Sequence, residues 1–463
     1  MNSVSKLAIA MLLFANTYSR SQEPMLISPI GSERATSGAG NKIITFGDKT
    51  QIVWQDATQQ GYHNRVRTYD RRTSTWSEPF TLNRGRDNHA RPVIAVDKQG
   101  YLHVILSGHN SPVTYRRSTR PNDATAWTEA EDAGSGTYPV VTCGLDGTVY
   151  LTLRSSNRWN GVDLYAKPPN EKWRKTAKLI VRDPELPGYA GYQNGLAWSP
   201  DHKTLHMVVD FYESVETYKL RGVHQAVCYM KSGDGGETWQ RADGTNIKLP
   251  ARPEQMDTLA QSRGDRKQRL PPPFILAQGG IVVDSDGLPH VFYVSHLDEP
   301  GQVIHARPNA QGEWQQTPVD AIAKAYLDHR PMACRGALTI DRGDSIYMLL
   351  ELKPLGKLWI DGKPVRGLGF ATEGKRLAWL ISRDCGKSFA VQKAIDDEQV
   401  FNQANVERPA GFNEISAGQL PPFVYFDGTS RYPKGREVLQ NNVFLRLPSL
   451  PKRNGVIAIP VQP

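Results

Sequence analysis

The stretch Ser232-Gly-Asp234-Gly-Gly236-Glu-Thr238-Trp239 recurs further along the chain as Ser382-Arg-Asp384-Cys-Gly386-Lys-Ser388-Phe389. Both copies fit the pattern S-x-D-x-G-x-[ST]-[WF]. The aspartate can bind the backbone of a turn, the glycine can supply a positive φ, and the serine or threonine can close the loop. The aromatic residue can then fill the space between neighbouring repeats. Two near-complete copies therefore predict a repeated β-unit with Asp234 and Asp384 as turn formers, not catalysts.

A longer unit repeats around these turns: a β-run, a turn with Asp and Gly, a second β-run, and a third run that ends at an aromatic residue. Alternation of Val, Ile, Leu and Tyr with polar residues predicts strands throughout. Six units end at a closing aromatic, which we expect to plug the core: Trp76, Trp127, Trp173, Trp239, Trp314 and Phe389. A seventh unit is predicted after Pro421, with Met25 to Ile30 as the strand that joins the two ends of the ring.

The eight-residue signature resembles the Asp box, or BNR repeat, of sialidase-like β-propellers. With 463 residues, 40 glycines and 32 prolines, the chain is long enough and rich enough in turn residues for such a fold. The resemblance implies an all-β, seven-bladed β-propeller, with a six-bladed ring and a C-terminal appendage as the alternative. Because regular repeats can form one large body, we expect a single domain over residues 23–463.

The first 22 residues have the order of a signal peptide. Lys6 precedes an apolar run, Leu7 to Ala15, that is too short to span a bilayer, and small polar residues follow. We expect residues 1–22 to direct secretion or periplasmic export, without stable membrane insertion.

Cysteine spacing limits which cofactors are expected, and the distribution of charge limits which partners are expected. The four cysteines have no C-x-x-C spacing, so the spacing does not support zinc or redox chemistry: Cys143, Cys228, Cys334 and Cys385. Buried free thiols are expected, with one unassigned disulfide as the alternative that export allows. No cofactor is indicated with certainty, and a structural calcium or zinc ion stays open. The net charge of +9 is scattered rather than gathered in a basic run. That pattern disfavours nucleic acid and suits an acidic polysaccharide or oligosaccharide.

The ends of the inner strands predict the site. In a propeller, residues just before the first strand and just after the second strand of each blade converge on one face. Those positions hold histidines, tyrosines and arginines: His89, His109, Tyr138, Arg154, Tyr192, Tyr212, His296 and Arg335. Histidine and tyrosine can act as general base and acid, and arginine can neutralise a uronate so that its C5 proton becomes acidic. This is the set that a sugar lyase needs.

A standard glycosidase needs two carboxylates about 5–9 Å apart instead. Few carboxylates occupy the predicted face, and three are candidates for such a pair: Asp210, Asp298 and Glu351. His103, His206 and His290 recur at one position inside the second strand, which indicates a structural role.

The stretch from Asn88 to Asn110, with Tyr115-Arg116-Arg117 following, resembles the BNR-4 group of propellers. That group is similar to the ulvan lyases, whose two histidines on the catalytic face lie at the start of one strand and the end of its partner. The resemblance implies that His89 and His109 are the catalytic pair. It also implies a catalytic tyrosine, for which Tyr192 and Tyr212 fit comparably, and an arginine, for which Arg154 and Arg221 do. We expect the substrate to be contacted by Arg154, Arg221, Tyr138, His296 and Arg335.

The leading hypothesis is therefore an exported lyase that cleaves a uronate-containing, ulvan-like polysaccharide by β-elimination. A glycoside hydrolase of sialidase-like or rhamnosidase type is the rival enzyme, although no Phe-Arg-Ile-Pro motif lies near the N-terminus. A non-catalytic propeller that binds carbohydrate or another partner is the third hypothesis, because fold alone does not choose a function.

Overall fold

A computed structural model describes residues 23–157, 160–214, 223–262, 276–297, 300–332, 336–355, 359–360, 363–364, 374–396 and 399–447. The predicted signal peptide (1–22), Arg221, Asp298, Cys334 and Arg335 lie outside the described residues. No helix among the described residues is long and apolar enough to cross a membrane.

Strands make up almost all of the regular structure. The first thirteen are β1 Met25–Gly31, β2 Ile43–Phe46, β3 Lys49–Thr58, β4 Gly61–Asp70, β5 Thr75–Trp76, β6 Phe80–Gly85, β7 Pro92–Val96, β8 Leu102–Leu106, β9 Ser111–Arg117, β10 Glu131–Cys143, β11 Val149–Ser155, β12 Gly161–Lys167 and β13 Arg174–Val181. The next ten are β14 Ala190–Trp198, β15 Leu205–Glu213, β16 Val223–Ser232, β17 Trp239–Gln240, β18 Asn246–Ile247, β19 Asp257–Gln261, β20 Leu276–Val283, β21 Pro289–Ser295, β22 Gln302–Pro308 and β23 Trp314–Val319.

The last ten are β24 His329–Pro331, β25 Leu338–Ile340, β26 Ile346–Pro354, β27 Trp359–Ile360, β28 Lys363–Pro364, β29 Arg376–Ser382, β30 Ala390–Lys393, β31 Asn402–Val406, β32 Phe423–Phe426 and β33 Asn441–Arg446. One short helix, Ala321–Ala325, and one 3₁₀ turn, Pro253–Gln255, are the helical elements among the described residues.

The strands form antiparallel units whose inner strands pack side by side in chain order. Strands β14-β15-β16, β20-β21-β22-β23 and β26-β29-β30 run consecutively within their sheets. Inner strands β7, β10, β14, β20 and β25 each contact the next in the series. The series returns to its start near β31, where Val406 N donates to Gly336 O at 2.8 Å and Asn405 Nδ2 donates to Gly38 O at 3.0 Å. The fold is all-β and propeller-like.

The two ends of the chain meet in one sheet. Strand β1 pairs antiparallel with β33, with Met25 opposite Leu445 and Gly31 opposite Asn441. The predicted pairing of the N-terminal strand with the C-terminal segment is confirmed. It joins the first and last units through main-chain hydrogen bonds.

The closing aromatics pack mostly as the repeat predicts. Three of them lie edge-on against an aromatic ring on the third strand of the preceding unit: Trp173 on Tyr115 at 5.3 Å, Trp314 on Tyr229 at 4.9 Å, and Phe389 on His305 at 5.7 Å between ring centroids. Trp239 is fully buried. Trp76 differs, because its ring packs on Tyr69 of the strand to which it pairs.

The two signature turns make the same hydrogen bonds. Ser232 Oγ donates to Asp234 Oδ1 at 2.8 Å, and Gly236 N donates to Ser232 Oγ at 2.8 Å. Ser382 Oγ and Asp384 Oδ1 are likewise 2.8 Å apart, and Gly386 N donates to Ser382 Oγ at 2.8 Å. The aspartates therefore shape turns, as expected.

The histidines inside the second strands are buried and tie that strand to the third. Their Nδ1 atoms are hydrogen-bonded to the third strand in each case: His103 to Tyr115 Oη at 2.8 Å, His206 to Tyr229 Oη at 2.7 Å, and His290 to His305 Nε2 at 2.9 Å. The repetition of this contact fits the structural role that the sequence indicates.

Buried histidines should make the fold sensitive to acid. Burial lowers the pKa of His206 to about 3, whereas an unfolded histidine titrates near about 6.5. Between these values the unfolded chain binds the extra proton, so stability is full above pH about 6.5 and falls as the pH drops toward about 3. We expect urea unfolding to show this loss between pH about 7 and 4.5, and His206→Gln to flatten it. An identical pH dependence in the variant would contradict the assignment.

Candidate active site

The histidine pair lies at the ends of two paired strands. Pro92 of β7 is opposite Leu106 of β8, so the residues just outside these positions emerge on the same face. His89 and His109 lie there with their rings stacked, 4.2 Å between centroids and 20° between planes. The structure thus brings together the two histidines that the sequence proposed as a pair.

Asp87 contacts both histidines of the pair. His109 Nδ1 lies 2.5 Å from Asp87 Oδ2, and the His89 backbone N–H donates to Asp87 Oδ1 at 2.8 Å. Burial raises the pKa of Asp87, but hydrogen bonds from His109 and His89 outweigh it and hold that pKa well below its usual range. An ionised Asp87 favours the proton on Nδ1 of His109 and leaves Nε2 as a lone pair, as in a carboxylate-oriented base.

His89 is neutral at ordinary pH. Burial lowers its pKa to about 4, and the nearby charges of Arg34 and Arg91 act in the same direction against the raising effect of Asp87. Its Nδ1 lies 3.6 Å from Asp87 Oδ1. Both imidazoles therefore present Nδ1 to one carboxylate and have Nε2 on the far side of the ring.

Arg154 and two tyrosines form the neighbouring part of the site. Arg154 is fully buried on β11, with its guanidinium carbon 4.5 Å from the centroid of the Tyr138 ring. It donates to Tyr189 Oη at 2.8 Å and to Asn110 Oδ1 at 2.9 Å. Because Asn110 follows His109 directly, this arginine connects the tyrosines to the histidine pair. The Tyr138 and Tyr189 hydroxyl oxygens are 3.2 Å apart.

Tyr138 is the more acidic of the two tyrosines. Burial raises its pKa, but the Arg154 charge and the Tyr189 hydroxyl outweigh burial, so that its pKa is below the usual value. For Tyr189, burial and the adjacent Tyr138 raise the pKa. The Arg154 charge therefore favours the ionised form of Tyr138, and the Tyr189 hydroxyl lies within hydrogen-bond distance of it.

Three residues of this face have left-handed backbones. The φ angles are 52° at His109, 56° at Asn110 and 58° at Tyr138. A non-glycine residue held there costs of order 1–3 kcal/mol, and such residues concentrate at functional sites. The residues with strained backbones, His109, Asn110 and Tyr138, therefore belong to the candidate site.

Arg91 supplies a positive charge that forms no direct ion pair with a described residue. Its side chain is buried, yet it makes no hydrogen bond or ion pair with any residue that the structure describes. Burial lowers its pKa to about 10, and Arg34 acts in the same direction, so it stays charged near neutral pH. A buried guanidinium without an anion is unfavourable until a carboxylate pairs with it. Arg34 lies beside it, with its guanidinium carbon 4.9 Å from the exposed Tyr432 ring.

The remaining predicted site residues are placed differently. Tyr192 is fully buried and donates to Glu213 Oε1 at 2.7 Å, so its hydroxyl faces the core. Tyr212 is half-buried, and its ring packs edge-on at 5.9 Å against that of Tyr189. His296 is buried beneath Gly301.

The two described carboxylates that could serve a glycosidase, Asp210 and Glu351, already lie beside basic side chains. Asp210 is fully buried 2.7 Å from His224 Nδ1. Glu351 lies 3.5 Å from Lys375 Nζ. Neither is a free carboxylate of the kind that glycosidase chemistry uses.

Sequence reasoning missed several residues of this face. Asp87 and Arg91 flank His89 in an alternating Asp-x-His-x-Arg pattern that could have been noticed. Tyr189 precedes β14 directly, the same position that selected the others. Arg34 and Tyr432 come from opposite ends of the chain and meet only through the junction between the first and last units.

Asp87 and the histidine pair form a group of possible metal ligands. Asp87, His89 and His109 each offer a ligand atom within 4.8 Å of the others, so they could hold a metal ion. His109 Nδ1 is hydrogen-bonded to Asp87 without one, whereas the buried Nδ1 of His89 has no hydrogen-bond partner among the described residues.

A cavity of about 580 Å³ lies between the inner strands and is lined by turn residues such as Leu145, His202 and Asp341. Because those turns join first to second strands, the cavity opens on the face opposite the histidine pair.

Known proteins resemble this chain in sequence and fold. The family model for BNR repeat-containing family members matches residues 50–322, more than half of the chain. An ulvan lyase of Alteromonas sp. (strain LOR) is 22% identical over 269 residues, covering 50% of this chain and 54% of the relative. Ulvan Lyase-PL25 of Pseudoalteromonas sp. (strain PLSV) is 20% identical over 307 residues, covering 57% and 60%. The matched stretch thus spans less than two thirds of these relatives.

The same fold occurs in solved structures. A PL25 ulvan lyase bound to -[GlcA(1-4)Rha3S]- has a TM-score of 0.66 at 15% identity, covering 91% of this chain and 95% of that one. Polysaccharide lyase Uly1 has a TM-score of 0.59 at 12% identity, covering 92% and 99%. At these identities the likeness establishes the fold alone.

Proposed function

This chain belongs to the BNR repeat-containing family, and we propose that it is a polysaccharide lyase that cleaves a uronate-containing, ulvan-like polysaccharide by β-elimination. Its curated relatives carry the name ulvan lyase. The observation that carries the proposal is the placement of Tyr138 and Arg154 next to the His89–His109 pair.

The site contains a group for each step of an elimination. The unpaired Arg91 binds the uronate carboxylate, which stabilises negative charge developing at C5. Nε2 of His109, oriented by Asp87, removes the C5 proton. The electron pair of that C–H bond becomes the C4–C5 double bond as the C4–O bond breaks. The departing oxygen takes the proton of the Tyr138 hydroxyl.

Neighbouring residues support these roles. The phenolate left on Tyr138 is stabilised by the Arg154 charge and by the Tyr189 hydroxyl. His89 stacks on His109 and, being neutral, adds no competing positive charge to that base. The half-buried Tyr212 ring offers a surface on which a sugar can stack.

We also propose that the fold has seven blades with Asp-box turns. The two signature turns share their hydrogen bonds, and β1 completes the sheet of β31 to β33. We further propose that residues 1–22 are a signal peptide and that the protein is exported. It would then meet an acidic polysaccharide outside the cell.

Incubation with ulvan tests this function. We expect ultraviolet absorbance to rise as unsaturated uronate ends form, and we expect Arg91→Leu to weaken substrate binding as well as turnover. New reducing ends without absorbance would instead support the sialidase-like or rhamnosidase-type hydrolase. Binding without any new ends would support the non-catalytic alternative.

A further inference from the structure

A second cluster of polar side chains lies away from the proposed active site, between two successive units. Asp284 follows β20, and His290 lies on β21 of the same sheet. Cys385 lies in the signature turn that follows β29 of the next unit. One ligand atom from each residue lies within 4.8 Å of the other two.

The three ligand atoms are spaced like the corners of a tetrahedral zinc site. His290 Nε2 lies 3.1 Å from Asp284 Oδ2, and Cys385 Sγ lies 3.5 Å from Asp284 Oδ2 and 3.6 Å from His290 Nε2. Zinc bonds of about 2.3 Å to sulfur and about 2.0–2.1 Å to nitrogen and oxygen give ligand–ligand distances of about 3.3–3.6 Å at tetrahedral angles. The side chains therefore already have nearly the spacing that the ion requires.

The surroundings hold the ligands in place. Nδ1 of His290 is hydrogen-bonded to His305 Nε2 at 2.9 Å, so the second ring nitrogen is fixed by a partner, as is usual for a metal-ligating histidine. Arg307 donates to Asp284 Oδ2 at 2.9 Å. His290 and Asp284 are buried.

The cysteine distinguishes this cluster from the Asp–His pair of the second unit and from the other signature turn. Asp97 and His103 form the same Asp–His contact at 3.1 Å in the second unit. In the other signature turn, the position equivalent to Cys385 is Gly235. Cys385 has a φ of 56°, close to the 71° of Gly235, in a region that favours glycine. A cysteine at a position that favours glycine, with its Sγ 3.5 Å from Asp284 Oδ2 and 3.6 Å from His290 Nε2, indicates a ligand role.

We propose that Asp284, His290 and Cys385 bind a structural zinc ion that links two successive units, with water as the fourth ligand. The Cys385 thiol loses its proton on binding, and the thiolate favours zinc over calcium. The site is independent of the proposed lyase activity. Cysteine spacing alone does not reveal such a site, because the proposed ligands come from positions 101 residues apart in the chain.

Elemental analysis tests this site. After equilibration with zinc and removal of unbound metal, the wild-type protein should contain one more zinc ion per chain than Cys385→Gly treated in the same way. Glycine suits the φ of this turn and reproduces the sister turn, so the variant should fold. Cys228→Ala, which removes a buried thiol elsewhere, should retain the ion.

Thermal unfolding gives a second readout that does not depend on activity. Zinc added to metal-free protein should raise Tm for the wild-type chain and for Cys228→Ala, but not for Cys385→Gly. Absence of zinc from the equilibrated wild-type protein, or equal zinc content in Cys385→Gly, would overturn the proposal. A matching rise in Tm with calcium would overturn its selectivity for zinc.

Discussion

Replacing Tyr138 with phenylalanine is expected to lower kcat on ulvan by about 10²–10⁴-fold, because the leaving oxygen loses its proton donor. The ring remains to stack on Arg154, so Tm should stay nearly constant. Initial rates from ultraviolet absorbance, together with thermal unfolding, measure both effects.

Tyr101→Phe is the matched control for that experiment. Tyr101 also stacks with an arginine, with the Arg117 guanidinium carbon 3.6 Å from its ring centroid. It precedes β8 at the opposite end from His109, so its hydroxyl should not affect turnover. Unchanged kcat in Tyr138→Phe would remove Tyr138 from the mechanism.

Substituting alanine at His109 or at His89 should each lower the formation of unsaturated product by about 10²–10⁴-fold. His109 loses the base itself, and His89 loses the ring that stacks on the base and shares Asp87. If the two act as one unit, the double variant should be little worse than either single variant. Product formation and Tm should be measured for all three.

His202→Ala is the matched control for the histidine variants. His202 is also stacked, 4.2 Å from Phe412 between ring centroids, but it lines the opposite face. Full activity in both single variants at His89 and His109 would refute their role. A large fall in Tm would instead show that these histidines are structural.

Much of the fold could be predicted because its signals are local. The turn chemistry around Asp234 and Asp384 depends on residues within the turns, and the sequence contains all of them. The closing aromatics follow from the period of the repeat. Trp76 departs from the expected packing, since its ring lies on Tyr69 of the strand with which β5 pairs. The pairing itself does not explain the difference, because Trp314 lies on a strand that pairs in the same way.

The site was only partly predictable because it depends on side-chain direction and distance. Strand-end position identified His89, His109, Tyr138 and Arg154, but it did not assign the catalytic tyrosine. Successive side chains of a strand point to opposite faces. On β14, the Tyr192 hydroxyl donates to Glu213 in the core. The neighbouring position, Gly191, pairs with Tyr212 of β15. The acidity of Tyr138 depends on Arg154, which reaches it from another strand.

The most direct test of the proposed elimination is the origin of oxygen in the product. Cleavage of ulvan in water labelled with heavy oxygen, followed by mass spectrometry, separates the two enzymatic mechanisms. Elimination breaks the C4–O bond without consuming water, so the primary product should carry no label and should have an unsaturated uronate end. A saturated product that carries one labelled oxygen at the cleaved bond would show hydrolysis and contradict the lyase mechanism.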